Sequence, residues 1–372
     1  MGLKPTFFIA DMETGNLYGE TLPLEKVRLT SSLQPGRFSA DLDLRHFGPM
    51  GAGHRVMNLL KAGKCTLVPV LEGTSRGADN PPTSTALGEW WISGVDESPP
   101  SPIVRLSGPE FSGYFKEVLV PYTWVSSAKD PLMQLRQLLW AACTADQSVA
   151  INVRSWTSTT SVPVDIRAGT VMTWDAATDL QENDADPFEW RVEASLEMAG
   201  WSPLRVIRTL QVGQPHFAVN RRDITLELAG PGRGETSLRS FSRGRSEHRS
   251  ATDVHGWGNG AGEDQVGPVV SSRSRAPGEP VKSRMVTDRA AMTVAQLRRS
   301  TVAARRAATP EEQVYTAVFP TGWHVPRVGN EYSWRVDEQW SRPAESGTRR
   351  CVGWSWSSGQ AVDAYELELT EV

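Results

Sequence analysis

The sequence predicts a mainly β protein, with an α+β segment set between two β-rich ends. Three observations carry this. Apolar and polar residues alternate strictly in RFSADLDL (Arg37–Leu44), where Phe38, Ala40, Leu42 and Leu44 oppose Ser39, Asp41 and Asp43. A clear amphipathic helix, DPLMQLRQLLWAACT (Asp130–Thr144), interrupts the β pattern after about Tyr122. From about Gln211 the strand signals resume and run to the end of the chain. At 372 residues the chain has material for two to four domains.

The N-terminal third is read as strands in order. FFIADMET reaches a Gly15-Asn16 turn, and LYGETL and KVRLTSSL follow. A Pro35-Gly36 turn precedes RFSADLDL. HRVMNLLKAG (His54–Gly63) reads as one short helix. CTLVPVLEG and GEWWISGV flank a Gly/Pro/Ser/Thr-rich loop at Thr74–Ala86. VRLSG and FSGYFKEVLV complete a small barrel or sandwich.

In the middle segment, Asp130 caps the helix and Pro131 suits its first position, where no backbone N–H is needed. Leu132, Leu135, Leu139 and Ala142 form its apolar stripe. A second short helix is expected at Trp174–Glu182. PFEWRVEASLE then alternates: Phe188, Trp190, Val192, Ala194 and Leu196 face one way, and Glu189, Arg191, Glu193, Ser195 and Glu197 the other. In the last third, DITLELAG, RSATDVHGW, VYTAVFP, EYSWRV, RRCVGWSW and AYELELTEV are the expected strands. One helix, Thr293–Ala308, interrupts them, and Val266–Pro280 reads as a loop.

A net charge of −4 argues against a dedicated nucleic-acid binder, which would show a concentrated basic surface. Cys65, Cys143 and Cys351 lie far apart, outside any CxxC pattern, which fits reduced thiols. No apolar run approaches the length of a membrane span, and the apolar patch at the start is too short for a signal peptide.

Candidate chemistry resolves mostly into structure. In SEHRSATDVHGWGNGAGEDQ, His248 and His255 differ by an odd number, so a regular strand separates them; Asp253 and His255 share a face but lack further ligands. GWGNGAGED has no P-loop lysine, and its glycines suit a turn. ENDADPFEW lacks the spacing of a calcium loop, and VGWSWSSG is not a nucleophile elbow because Ser357 stands where glycine is needed. No catalytic residues, metal ligands or cofactor-binding residues are therefore assigned. Asp41 and Asp43 share a strand face; if that face lines a channel, its negative charge keeps a DNA backbone from sticking. Arg298 and Arg299, with Arg305 and Arg306, make the Thr293–Ala308 helix basic, suited to solvent or to an acidic neighbouring subunit. RSFSRGRSEHR (Arg239–Arg249) reads as a protein contact or a mobile loop.

The order of elements resembles a known family. ADMETGNLYGE, RFSADLDL, HRVMNLLKAG, CTLVPVLEG, GEWWISGV and VRLSGPEFSGYFKEVLV, followed by KDPLMQLRQLLWAAC and PFEWRVEASLE, are similar to the tail hub (baseplate hub, tail-associated) class of minor tail proteins, in the type found in siphophages of actinobacteria. The resemblance covers nearly the whole chain and rests on no catalytic motif. It implies two tube-like β-barrels, at residues 1–121 and 211–372, the second with a helical insertion around 281–310, and a peripheral α+β domain at 122–210. It also implies a homotrimer in the virion tail tip, made in the bacterial host cytoplasm. Three subunits would give a ring that joins the sixfold tail tube to threefold tip proteins and gates DNA, which meets the chain only in transit. The implied partners are a distal tail ring, the tape-measure protein and a central fibre or spike. Because the chain ends at Val372, wall cleavage and receptor binding are expected of other proteins. Trp90 and Trp91 point to opposite faces of one strand, so one can fill the barrel while the other meets a neighbouring subunit. The alternative is a carbohydrate-binding tail module that recognises the host cell wall; a cell-wall hydrolase is disfavoured by the lack of a nucleophile or metal set.

Overall fold

β-strands dominate, and they follow the alternation in the sequence. In a computed structural model, residues 4–47, 52–61, 63–71, 84–145, 149–154, 156–158, 160–181, 187–200, 202–214, 216–228, 237–245, 251–260, 262–272, 281–288, 291, 293–307, 313–320, 324–337, 344–358 and 364–371 are described. The first part of the chain forms β1 (Thr6–Asp11), β2 (Leu17–Thr21), β3 (Leu24–Ser32), β4 (Arg37–Asp43), helix α1 (Ala52–Lys61), β5 (Cys65–Leu71), β6 (Thr85–Ala86), β7 (Trp90–Trp91), β8 (Gly94–Glu97) and β9 (Ile103–Pro109). The middle forms β10 (Trp124–Lys129), α2 (Pro131–Thr144), β11 (Val162–Ile166), α3 (Thr173–Gln181), β12 (Glu189–Ala199) and β13 (Ser202–Gly213). The last part forms β14 (Val219–Leu228), β15 (Ser240–Arg245), β16 (Asp253–Trp257), β17 (Val269–Ser272), β18 (Ser283–Thr287), α4 (Val294–Ala307), β19 (Gln313–Pro320), β20 (Asn330–Val336), β21 (Glu345–Ser357) and β22 (Ala364–Glu371).

Two sheets build the body. One runs β2-β1-β5-β6, with β7 also on β5. The other has ten strands and runs β15-β19-β22-β21-β3-β4-β9-β8, with β20 on β21 and β14 on β20. The joint between the two β-rich ends is the antiparallel pairing of Gly353–Ser357 with Arg28–Ser32. One apolar core crosses it, from Ile9, Leu29 and Trp90 to Trp334, Trp354, Tyr365 and Leu367. Among the described residues neither sheet's strand ladder closes into a barrel. The segment before β15 does reach back to β14, where Leu238 N–H donates to Glu227 O at 3.0 Å.

The middle segment packs beside this body on a second core. Leu132, Leu135, Leu138, Leu139 and Cys143 of α2 meet Trp174, Ala177 and Leu180 of α3 and Trp190 of β12. Asp130 caps α2 as its sequence position requires: Oδ1 accepts from Leu132 N–H at 2.8 Å and Met133 N–H at 3.2 Å. Asp130 Oδ2 also accepts from Ser158 N–H at 3.0 Å, fixing the helix start to the loop before β11.

Several local readings need correction. Phe111–Lys116 is a 3-10 helix, not a strand. Phe111, Tyr114 and Phe115 are all buried, and a helical turn brings side chains at that spacing to one side. Part of the basic stretch read as a loop is strand β15, paired with β19 from Ser240 to Arg245. Part of Val266–Pro280 is strand β17. Strands β10, β11 and β13 carry no strong alternation and emerge only through their partners.

Candidate functional site

The outward face of the ten-stranded sheet has a composition of its own. In β4 Phe38, Ala40 and Leu42 point into the core, leaving Arg37, Ser39 and Asp41 outside. The register carries that choice across neighbouring strands, because one pleat faces one way in each. Ser39 stands opposite Ser107 and Arg28, and Asp41 opposite Arg105, which in turn faces Asp96. On the far side of the joint Ser355 stands opposite Thr30 and Glu366, and Glu366 opposite Val318. Glu368 stands opposite Gly353 and Thr316. The face is thus surfaced by small hydroxyl side chains and glycine with charges of both signs. Val318 and Ile103 are its larger apolar members. It offers neither the aromatic platform that stacks bases nor a cationic groove.

Asp41 on this face is held in place by cations. Lys26 Nζ donates to Asp41 Oδ2 at 3.0 Å, and Arg105 lies 3.8 Å from Oδ1. Asp43 is buried at the end of β4, where Arg45 Nε donates to Oδ1 at 2.9 Å. Hydrogen bonding from the Arg45 side chain and backbone pulls the Asp43 carboxyl down to about 2. Of the two acids expected on a channel face, Asp41 lies on the outward face and Asp43 is a buried partner of Arg45. Glu366 and Glu368, both exposed, were not singled out from the sequence, although AYELELTEV alternates plainly.

A second polar feature lies behind this face, where the β12–β13 hairpin crosses the body. Trp190 and Val192 turn towards the α2–α3 core. The charged residues of the same strand turn towards the body rather than to water. Arg191 lies 3.4 Å from Glu110 Oε1, and Glu110 also accepts from Ser31 Oγ at 2.9 Å and Gly36 N–H at 3.1 Å. Burial pushes the Glu110 carboxyl up. Glu189 pairs with Arg350, and Glu193 with Arg327. Arg208 of β13 forms a two-pronged pair with Glu89, while its Nη1 donates to Met12 O at 2.8 Å. These pairs tie the middle segment to β21, to the segment before β20 and to the segments beside β7 and β9.

The two tryptophans enter different cores of the chain. Trp90 is fully buried, edge-on to Trp354 with centroids 6.2 Å apart, and its Nε1–H donates to Thr30 O at 3.2 Å. Trp91 is half-buried, edge-on to Tyr114 at 5.9 Å, and donates to Gly63 O at 3.0 Å. Arg298 is exposed on α4, whereas the side chain of Arg299 lies outside the described set. His248 lies outside the described residues; Asp253 and His255 are half-buried on β16.

All three cysteines are buried, and burial pushes each thiol up to about 12, far from a reactive thiolate. Among the described residues no three His, Cys, Asp or Glu side chains gather as a metal set, and no helix is long and apolar enough to cross a membrane.

No family profile matches the chain, and no curated protein sequence does. Solved structures do share its fold. The tail protein from Neisseria meningitidis MC58 superposes with a TM-score of 0.55 at 13% identity, covering 98% of this chain and 96% of that one. The 43 kDa tail protein of prophage MuSo2 from Shewanella oneidensis gives 0.54 at 9% identity, covering 98% of each chain. A PdpA-VgrG complex in its lidless form gives 0.51 at 8% identity, covering all of this chain and 65% of that one. The fold is that of phage tail proteins and of VgrG-type proteins, from one end of the chain to the other.

Proposed function

We propose that the chain is a structural component of a bacteriophage tail tip: a hub subunit that forms a homotrimeric ring, joins the sixfold tail tube to threefold tip proteins and gates DNA passage. The observation that carries this reading is the wide outward sheet face, surfaced by Ser39, Ser107, Ser355, Thr30 and Thr316 and dotted with acids. Such a face suits a channel wall. It gives bases nothing to stack on; Lys26 and Arg105 are engaged by Asp41, while Glu366 and Glu368 stay exposed to repel phosphates at close range. The shared fold supports a place in the tail.

In this reading the chain does no chemistry. Residues 1–121 and 211–372 supply the two tube-like parts, continuous through the β3–β21 pairing, and residues 122–210 lie at the periphery. The proposed neighbours are a distal tail ring, the tape-measure protein and a central fibre or spike. Trp91, Arg298 and Arg299 remain proposed subunit contacts; Trp90 packs in the core of its own chain.

Light scattering across a concentration series tests the ring directly. A mass of three chains, seen as rings by electron microscopy, is expected; a single-chain mass at all concentrations overturns it. Trp140 and Tyr122, each 53% exposed, favour a second reading as a glycan-binding tail module. A pull-down with host wall glycans separates the two, because the hub reading expects no retention.

A further inference from the structure

Strand β12 turns a row of alternating charge towards the body. Glu189 pairs with Arg350, Arg191 with Glu110, and Glu193 with Arg327. Between them Trp190 and Val192 enter the α2–α3 core, and Ala194 joins a cluster with Ala10, Val68 and Val70.

The partners come from both β-rich ends. Glu110 follows β9, whereas Arg350 lies in β21 and Arg327 precedes β20. Arg191 touches the two ends at once. Its Nη2 lies 3.4 Å from Glu110 Oε1 and donates to Ser31 Oγ of β3 at 3.5 Å, while its Nη1 donates to Val328 O at 3.5 Å. At the start of the strand Glu189 Oε2 accepts from Phe217 N–H at 2.7 Å, and Arg350 Nε donates to Phe217 O at 3.0 Å. Ser31 is itself part of the β3–β21 ladder, opposite Trp354. β12 therefore crosses the place where the two ends meet.

That place needs a brace. Among the described residues the two ends share one ladder, Arg28–Ser32 with Gly353–Ser357. Neighbouring strands twist against each other by anything from about 10° to 35°, so one ladder holds its strands together without fixing the angle between the parts they carry. The order of signs on β12 also sets where it sits. Side chains on one face of a strand repeat about every 7 Å. A slide of one pleat one way sets Glu189 against Glu110 and Arg191 against Arg327. A slide the other way sets Arg191 against Arg350 and Glu193 against Glu110. Arg191, Glu110 and Arg350 have side chains no more than 13% exposed, so like charges facing there are strongly disfavoured.

We infer that β12 is a strap that locks the two β-rich ends at one mutual angle across the β3–β21 joint. The inference concerns the single chain and does not depend on the ring.

The test reads a distance across the joint. Arg105 of β9 and Glu366 of β22 are exposed on either side of it. The native cysteines are all buried, so Arg105→Cys/Glu366→Cys takes a spin label at each new thiol. Pulsed electron resonance on labelled chains diluted in unlabelled protein then reads the distance within one chain. A narrow distribution is expected in this parent. Arg191→Met removes the residue that touches both ends, and Glu193→Arg sets like charges against Arg327. Each should broaden the distribution while the far-ultraviolet circular dichroism of the β-sheets is kept. Glu193→Arg/Arg327→Glu restores the pair with its signs exchanged and should narrow the distribution again. If Arg191→Met does not fold, Glu193→Arg and its exchanged pair decide. A broad distribution in the parent, or a width unchanged by both single variants, overturns the strap. An exchanged pair no narrower than Glu193→Arg alone also overturns it, because charge pairing is then not what holds the ends.

Discussion

Arg208 and Glu89 stand 119 residues apart in the chain and meet as a buried ion pair, with Nε–Oε2 at 2.8 Å and Nη2–Oε1 at 2.7 Å. Both side chains are 1% exposed. The guanidinium also lies over the Phe111 ring at 4.4 Å, and Thr66 Oγ1 donates to Glu89 at 2.6 Å. Removing either partner strands the other charge in the core. Arg208→Met or Glu89→Gln is expected to cost about 3–5 kcal/mol. The double variant should cost much less than the sum of the two. Denaturant unfolding of all four proteins closes the cycle, and additive losses would show that the pair is uncoupled.

A lysine on the outward face should convert a non-adhesive wall into an adhesive one. Ser39→Lys and Ser107→Lys lie opposite each other at the surface, where facing like charges should cost about 0.2–1 kcal/mol. The paired variant should retain double-stranded DNA on a filter at low salt and release it at high salt, where the wild type retains none. Equal retention by both proteins would contradict the channel-wall argument.

Asp130→Ala removes the cap of α2 and the bond to Ser158 together. A loss of about 1–2 kcal/mol is expected by thermal or denaturant unfolding. Asp130→Asn keeps the cap acceptor and should recover most of it.

His324 gives the fold an acid-sensitive contact. Its ring lies 3.1 Å from Tyr332 Oη, beside Asn330, and burial with Arg221 and Arg327 nearby pulls its pKa down to about 4, against the opposing pull of Asp223. The unfolded chain takes up the proton near pH 6.5 and the folded chain only near pH 4. Stability is therefore lost as pH falls through that window, by about 2–3 kcal/mol. His324→Gln should flatten this part of the stability profile; an unchanged slope would assign it to other groups.

Gly256→Val should loosen the small unit of β16, β17, β18 and α4 by driving a side chain into Thr301. Hydrogen exchange is expected to rise in β16, β17 and α4, while the core strands β3, β4 and β21 stay protected. Uniform loss of protection would mean that the unit is not separable from the body.

Much of the fold is legible in the residues. The alternation in β4 announces which side chains are inside, and the structure keeps that assignment. Asp130 and Pro131 mark the start of α2 because both act within the first helical turn. The 3-10 turn at Phe111–Lys116 was misread because a run of aromatics suits strand and turn alike, and only the core it enters decides. Cys351 shows the limit of parity. It is two residues from the outward Gly353, yet a bulge between them places it inside opposite Leu369.

The sequence by itself determined the mainly β character, the capped helix, the period-2 faces and the absence of any local catalytic motif, since each follows from chemistry within a few residues. Tertiary structure alone decided where those faces lie. Alternation puts Glu189, Arg191 and Glu193 on one face of their strand, but their partners Arg350, Glu110 and Arg327 come from distant parts of the chain and make that face a charged seam. The joining of β3 to β21, and with it the long polar wall, is likewise set by pairing between segments some 320 residues apart, which no local pattern encodes.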